Sequence, residues 1–253
     1  MTAPRRPGIV CLWATPRSVS TAFEKALSRN RAAAGVHEPF TDCYYFGPDR
    51  RSGRYGPQPA KERFTAADAW RLVEEPADEF VCVKDLAFQA EPYLTDADLA
   101  TVGNTFIVRH PKAVLRSLLR LKPDFTDDEF GFTALARLYD RVRLVTGEVP
   151  LVVDGDAFRA DPAGVLADYC RHTGLPFDEQ MLSWPDGRIR EWKPDEELSQ
   201  AKWHTTLEAS HGVLPPGPPA DEFEVPADRT DCYRQALAIY TELRRQPQLL
   251  GPH

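Results

Sequence analysis

The sequence predicts a three-layer α/β fold: a mostly parallel, five-stranded central sheet flanked by helices. Two observations carry this. Gly8-Ile9-Val10-Cys11-Leu12-Trp13 is a continuous apolar run suited to a strand buried on both faces, and it passes through a short loop straight into a helical pattern. Four more short apolar runs follow, each ended by a helix or a loop, and this alternation favours a parallel sheet.

The elements follow in order. Val19, Ala22, Phe23, Ala26 and Leu27 form one apolar stripe, and residues 22–31 read as the first helix. Residues 33–37 are a second strand running into Glu38-Pro39-Phe40. Residues 41–64, rich in Gly, Pro, Tyr and Arg, read as an irregular excursion. Residues 66–75 are helical, 80–84 a third strand and 104–108 a fourth. Arg109-His110-Pro111 then opens a helix with Pro in the first turn, where its missing N–H costs nothing. Its stripe is Pro111, Val114, Leu115, Leu118 and Leu119. A further helix carries Phe132, Leu135, Tyr139 and Val142 on one face. Residues 150–153 are the fifth strand, and Asp161-Pro162 starts a helix that stops at Thr173-Gly174. Residues 184–228 are irregular and Pro-rich, and residues 233–243 form a last amphipathic helix.

The 253 residues, 42% hydrophobic and 27% charged, suit one α/β domain over the whole chain, with a core that needs no disulfides. A formal net charge of −7 disfavours nucleic acid as a partner, so any anionic ligand must be held by local cations. The five cysteines are widely spaced and include no CxxC pair, which points to free thiols in a reducing compartment. No stretch approaches the ~20 apolar residues of a membrane span, and residues 1–7 lack the apolar segment of a secretion leader. A cytoplasmic protein without membrane contact is expected. Self-association is left open.

The loop Ala14-Thr15-Pro16-Arg17-Ser18-Val19-Ser20-Thr21 carries the chemistry. A strand that turns directly into a helix aims free N–H groups and the positive end of the helix dipole at whatever sits in the turn. Hydroxyls and the Arg17 fork add donors for an oxyanion. The loop is P-loop-like, yet Val19 and Ser20 stand where a nucleotide-hydrolysing P-loop, GxxxxGK(S/T), has Gly and Lys, which disfavours ATP or GTP hydrolysis. Taken alone, the loop fits an ordinary capped strand–helix turn equally well. Ligands of open parallel sheets bind at the C-terminal strand ends, here residues 15–21, His37-Glu38, Lys84-Asp85, Arg109-His110 and 154–156. Cations and carboxylates thus converge on one crevice, the layout of a group-transfer enzyme.

Trp13 to Thr21 resembles the 5′-phosphosulfate loop of sulfotransferases that use 3′-phosphoadenosine 5′-phosphosulfate (PAPS). Val108-Arg109-His110-Pro111-Lys112-Ala113-Val114-Leu115-Arg116-Ser117 is similar to that family's 3′-phosphate motif, an Arg at a strand end and a Ser eight residues on. Residues 153–156 with 161–176 resemble its later core, so the likeness spans residues 8–185. His37-Glu38-Pro39-Phe40 is similar to a bacterial and plant branch of the family. The resemblance implies a P-loop nucleotide-binding type of fold, PAPS as co-substrate without a metal, and sulfuryl transfer to a hydroxyl of a small-molecule acceptor. It implies that Thr15, Arg17, Ser18, Val19, Ser20 and Thr21 hold the 5′-phosphosulfate, and that Arg109 and Ser117 hold the 3′-phosphate.

Many members have Lys where Arg17 stands and Gly where Val19 stands, so Val19 implies a loop that turns with ordinary backbone angles. The best-known branch has its catalytic His after the third strand, where this chain reads Lys84-Asp85. Three candidates for the base therefore stand: Glu38, His37 and Asp85. Strand alternation lets at most one of His37 and Glu38 face the crevice. Arg17 is the stabiliser of the leaving group. Arg188, Lys202, Trp203 and His204 are candidates for a segment folded over the nucleotide, and Tyr44, Tyr45, Phe46 and Trp70 for an acceptor pocket. A P-loop small-molecule kinase and a non-catalytic nucleotide-binding protein of the same fold are the alternatives.

Overall fold

The computed structural model describes residues 8–55, 64–188, 205–217 and 223–251. Six parallel strands form one sheet: β1 (Ile9–Ala14), β2 (Ala33–His37), β3 (Phe80–Leu86), β4 (Gly103–Val108), β5 (Leu151–Asp154) and β6 (Leu249–Leu250), in the order β2-β3-β1-β4-β5-β6. The expectation of five strands is corrected by one. β6 is only two residues long, pairing Leu249 with Val152 and Leu250 with Val153, and a run that short carries no readable period.

Helices among the described residues include α1 (Ser20–Leu27), α2 (Thr41–Tyr45), α3 (Ala66–Glu74), α4 (Ala87–Ala90), α5 (Asp96–Thr101), α6 (Pro111–Leu121), α7 (Asp127–Phe130), α8 (Phe132–Thr146), α9 (Gly155–Ala160), α10 (Pro162–Thr173) and α11 (Thr230–Arg244). α1 stops at Leu27, short of the expected residue 31, because the chain turns at residues 28–30 to enter β2. The excursion at 41–64 contains α2, five residues whose aromatic side chains pack into the core. α6 has Pro111 at its start, with the His110 imidazole accepting from Lys112 N–H. Gly174, at φ 81°, ends α10 in the left-handed region.

β1 shows how the layers form. Ile9, Cys11 and Trp13 face a core built with α3, α5, α6, α8 and α11, whereas Val10, Leu12 and Ala14 face α1, α9 and α10. A strand buried on both faces must be apolar at every position, which is why the opening run shows no alternation. The connections leave β1 toward β2 and β3 on one side and toward β4 and β5 on the other. The crevice at the C-terminal ends of these strands is therefore a topological switch point.

β3 runs two residues beyond its expected end, so Asp85 lies within the strand. Lys84 pairs with Leu12 and with His37 in register and shares their face, the one covered by α1. Asp85 pairs with Trp13 and points to the other face.

Candidate functional site: two clefts sharing one loop

The loop between β1 and α1 is wedged into place. Arg17 and Val19 adopt left-handed backbone angles, φ 58° and 73°. This corrects the expectation of ordinary angles: the turn needs φ > 0 at position 19 and takes it even from a β-branched residue. Such a conformation persists only where the surroundings over-determine it. Here two glycines do so. A Cβ on Gly155 would lie 2.3 Å from the Ser18 carbonyl oxygen, and one on Gly131 2.6 Å from Pro16 Cδ. α9 and the α7–α8 corner thus press on the loop from two sides. Thr15 and Ser18 are fully buried, and Ser18 Oγ donates to the Thr15 carbonyl at 2.7 Å. The Ser18 hydroxyl thus ties the loop to its own backbone, while Val19, Ser20 and Thr21 line a cleft.

That first cleft holds about 1630 Å³ counting its open mouth. Arg17, Arg109, Arg116, Arg120 and Arg159 line it, with the N-terminus of α1 at one end. Arg17 Nε donates to Ser117 Oγ at 2.9 Å, so the two motifs of the sequence meet directly. Arg109 Nε donates to Asp156 Oδ1 at 2.8 Å, and Arg159 Nε to the Leu214 carbonyl at 3.0 Å. Burial, with Arg120 and Arg109 close by, pushes the Arg17 guanidinium down to about 10. The side chain remains charged at neutral pH in a setting that an anion would relieve.

The second cleft, about 670 Å³ with its mouth, shares Arg17, Ser20 and Thr21 with the first. Tyr45, Tyr55, Phe88 and Leu118 give it apolar walls, and Glu38, Lys84, Lys122 and Glu129 are its ionisable groups. Glu38, at φ 42°, breaks the strand alternation and turns its carboxylate onto Lys84 Nζ in a close ion pair. Thr41 Oγ1 donates to Glu38 Oε2 at 3.1 Å. Burial acts to lower the Lys84 ammonium, but Glu38, Glu24 and Asp85 outweigh it and hold it above its usual value.

Of the candidate bases, Glu38 lines the second cleft. His37 lies behind it, its Nδ1 2.8 Å from the buried Glu24 carboxylate. Asp85 is fully buried on the opposite face and accepts from Phe40 N–H at 2.8 Å and Leu86 N–H at 2.7 Å. Burial, with Glu38 nearby, drives its carboxyl well above the usual range. Among the suggested acceptor-pocket aromatics, Tyr45 lines the cleft, while Tyr44, Phe46 and Trp70 pack against the core. The part of the C-terminal segment at 206–217 contributes Thr206, Leu207, Ser210, Gly212, Leu214 and Gly217 to the cationic cleft. Lys25 Nζ ties that region to α1 by donating to the Gly187 carbonyl at 2.7 Å. Arg188 sits 3.9 Å from Glu208. Lys202, Trp203 and His204 lie outside the described residues.

Sequence reasoning missed Arg116, Arg120, Arg159, Lys122 and Tyr55. Arg116 and Arg120 were findable, since with Ala113 and Ser117 they form the non-core face of α6 at helical spacing. Nothing in the local pattern marks Tyr55, Lys122 or Arg159.

The sequence pattern of the sulfotransferase domain matches residues 9–246. The chain belongs to the sulfotransferase family. Two curated plant proteins are also similar. Branched-chain-amino-acid aminotransferase-like protein 2 of Arabidopsis thaliana is 30% identical over 93% of this chain and 41% of its own length. Aminotransferase-like protein 1 from the same plant is 24% identical over 94% and 42%. The chain therefore spans about two fifths of the length of these relatives. Among solved structures, the sulfotransferase domain from the curacin biosynthetic pathway superposes with a TM-score of 0.59 at 14% identity, covering 96% of this chain and 99% of that domain. The sulfotransferase domain of the Synechococcus PCC 7002 olefin synthase gives 0.56 at 17% identity, covering 95% and 97%. At those identities the likeness is one of fold, and it matches the sheet and helix layers of this sulfotransferase-family chain.

Proposed function

We propose that the chain transfers a sulfuryl group from PAPS to a hydroxyl of a small-molecule acceptor, releasing 3′-phosphoadenosine 5′-phosphate, without a metal. The observation that carries this reading is that Arg17 and Arg109, from two separate strand ends, line one cleft, and that Arg17, Ser20 and Thr21 also line a second. A donor with two anionic ends needs two cation-bearing cradles joined by room for a nucleoside. An acceptor needs its own entrance to the transferred group.

On this reading the first cleft takes the nucleotide, with Arg109, and Ser117 beside Arg17, toward the 3′-phosphate. The α1 N-terminus, Arg17, Ser20 and Thr21 hold the 5′-phosphosulfate at the junction, and Thr15, Ser18 and Val19 shape that turn. The bound donor supplies a sulfur centre already attached to a good leaving group, so the protein's work is positioning and charge stabilisation. Arg17 and the helix terminus meet the charge that develops on the departing phosphate. Glu38 takes the acceptor's hydroxyl proton, and Lys84 holds that carboxylate in place. His37 and Asp85 do not face the acceptor cleft, which supports Glu38 over both. The whole chain acts as one catalytic unit. Its five free thiols, four of them buried, support a reducing, cytoplasmic setting.

The test is a pair of substitutions. Arg17→Ala and Arg109→Ala should each remove PAPS-dependent turnover, and Arg109→Ala should also erase the preference for nucleotides bearing a 3′-phosphate. An unchanged preference in Arg109→Ala would overturn the assignment of the 3′-phosphate cradle. The kinase alternative is weakened by Ser20 at the position of the phosphate-binding Lys. It would be restored if ATP–Mg²⁺, and not 3′-phosphoadenosine 5′-phosphate, raised the melting temperature.

A further inference from the structure

We propose that Glu24 and His37 form a buried pair behind Glu38 in which Glu24 orients the imidazole to take on the proton that Glu38 accepts, an inference that rests on the reading of Glu38 given above. Glu24 lies on α1, in the first turns after the anion-binding loop, and is 3% exposed. Its neighbours Phe23, Ala26 and Leu27 face an apolar core, where an unpartnered carboxylate would cost several kcal/mol. Both Glu24 oxygens converge on His37 Nδ1, at 3.0 and 2.8 Å. His37 closes β2, and its Nε2 lies 4.0 Å from Glu38 Oε1.

The chemistry of the donors sets the order. With the imidazole hydrogen on Nδ1, His37 donates to the Glu24 carboxylate across 2.8 Å. Nε2 is then turned toward Glu38. The arrangement resembles the logic of an orienting acid behind an imidazole, except that the residue facing the acceptor is a second carboxylate. Among the described residues, charged or titratable groups against this cluster include Lys84, Asp85 and Cys82 of β3, and Tyr55 beside Glu38. Lys84 is the cation among them, and its in-register pairing with His37 puts it on the same face.

In the transfer, the acceptor oxygen bonds to sulfur as the sulfur–oxygen bond to the nucleotide breaks. The electron pair leaves on the phosphate, and the hydroxyl proton passes to Glu38. His37 Nε2 is next in line for that proton. Glu24 and His37 touch no reacting atom and act through Glu38.

The test uses the whole chain, with water as acceptor so that no acceptor need be identified. Release of 3′-phosphoadenosine 5′-phosphate from PAPS is followed together with nitrogen NMR of the histidine rings. His37 should carry its hydrogen on Nδ1. Glu38→Gln should slow release by at least about 100-fold, the scale of general-base catalysis. Glu24→Gln, whose amide can donate as well as accept, should disturb that tautomer and slow release by at least about tenfold, the scale of a lost orienting partner. The dissociation constant for 3′-phosphoadenosine 5′-phosphate should stay the same, and Glu24→Asp should recover part of the rate. A wild-type His37 protonated only on Nε2 overturns the proposal. So does a Glu24→Gln protein as fast as wild type while Glu38→Gln is slow, and in that case the base assignment survives. Glu38→Gln at the wild-type rate would instead sink the base assignment itself. Should Glu24→Gln fail to fold, His37→Gln in the same assay and the wild-type spectrum decide.

Discussion

Lys84 stands in the sheet with its side chain 2% exposed, and its ammonium survives there because Glu38, 10% exposed, meets it directly. Breaking such a pair from one side leaves an uncompensated buried charge, whereas removing both ends leaves none. Lys84→Met should therefore cost about 3–5 kcal/mol of stability in urea unfolding, and Lys84→Met with Glu38→Gln should recover much of it. A double variant that loses as much as the two single variants added together would show that the pair is not coupled. The sign with pH follows from the raised Lys84 ammonium. Its contribution is complete below the ordinary lysine value and is lost as the pH climbs through the higher folded value. Wild type should lose this increment on the alkaline side, and Lys84→Met should not. Val19 makes the converse point. Its left-handed φ of 73° stores strain of about 1–2 kcal/mol. Val19→Gly should be close to neutral, because relief of that strain offsets about 0.5–1 kcal/mol of added chain entropy. Calorimetry on the single variant checks this.

At the scale of elements, the loop between β1 and α1 depends on helices distant in sequence. Gly155 opens α9 directly against the Ser18 carbonyl, with no space for a methyl group. Gly155→Ala must move either α9 or the loop. It should lower the melting temperature and the affinity for 3′-phosphoadenosine 5′-phosphate together, by at least about tenfold in affinity, as expected when binding groups lose their geometry. Gly155 has no positive φ, so its loss comes from the clash; Gly147→Ala, at φ 72° with no atom within 4 Å of the added Cβ, shows the converse case of backbone strain without a clash. α6 was legible as an element: its Pro start, apolar stripe and polar face are all present in the sequence. That its polar face carries Arg116 and Arg120 into the same cleft as Arg17 was implicit in the spacing and became clear only once α6 was docked beside the loop.

For the whole molecule, the contrast is between a net charge of −7 and a cleft lined, among the described residues, by five arginines. On the proposed reading, global charge would repel an anionic nucleotide and the local field would gather it. Binding of 3′-phosphoadenosine 5′-phosphate should therefore weaken steeply with salt, by at least about tenfold between roughly 0.05 and 0.5 M NaCl, as the Debye length shrinks below the size of the cleft. At ~100-fold its dissociation constant the same nucleotide should add ~2.7 kcal/mol to stability. Titration calorimetry at several salt concentrations reads the first, and thermal unfolding the second. A salt-independent affinity would remove the arginine cleft from the account.

The strands β1 to β5, the loop and the two motifs that feed it were written in local pattern, because burial on both faces, Pro at a helix start and Gly at a helix end act over a few residues. The family likeness followed from the same local runs. What only the tertiary structure decided was which of Glu38, His37 and Asp85 lines the second cleft. That choice turns on a left-handed φ at Glu38, on the register that sets Lys84 beside His37, and on the strand alternation that sends Asp85 to the far face. β6 likewise exists only because α11 returns the chain beside β5. Pairing, register and the direction of a side chain are set between segments far apart in the chain, and no window of sequence contains both partners.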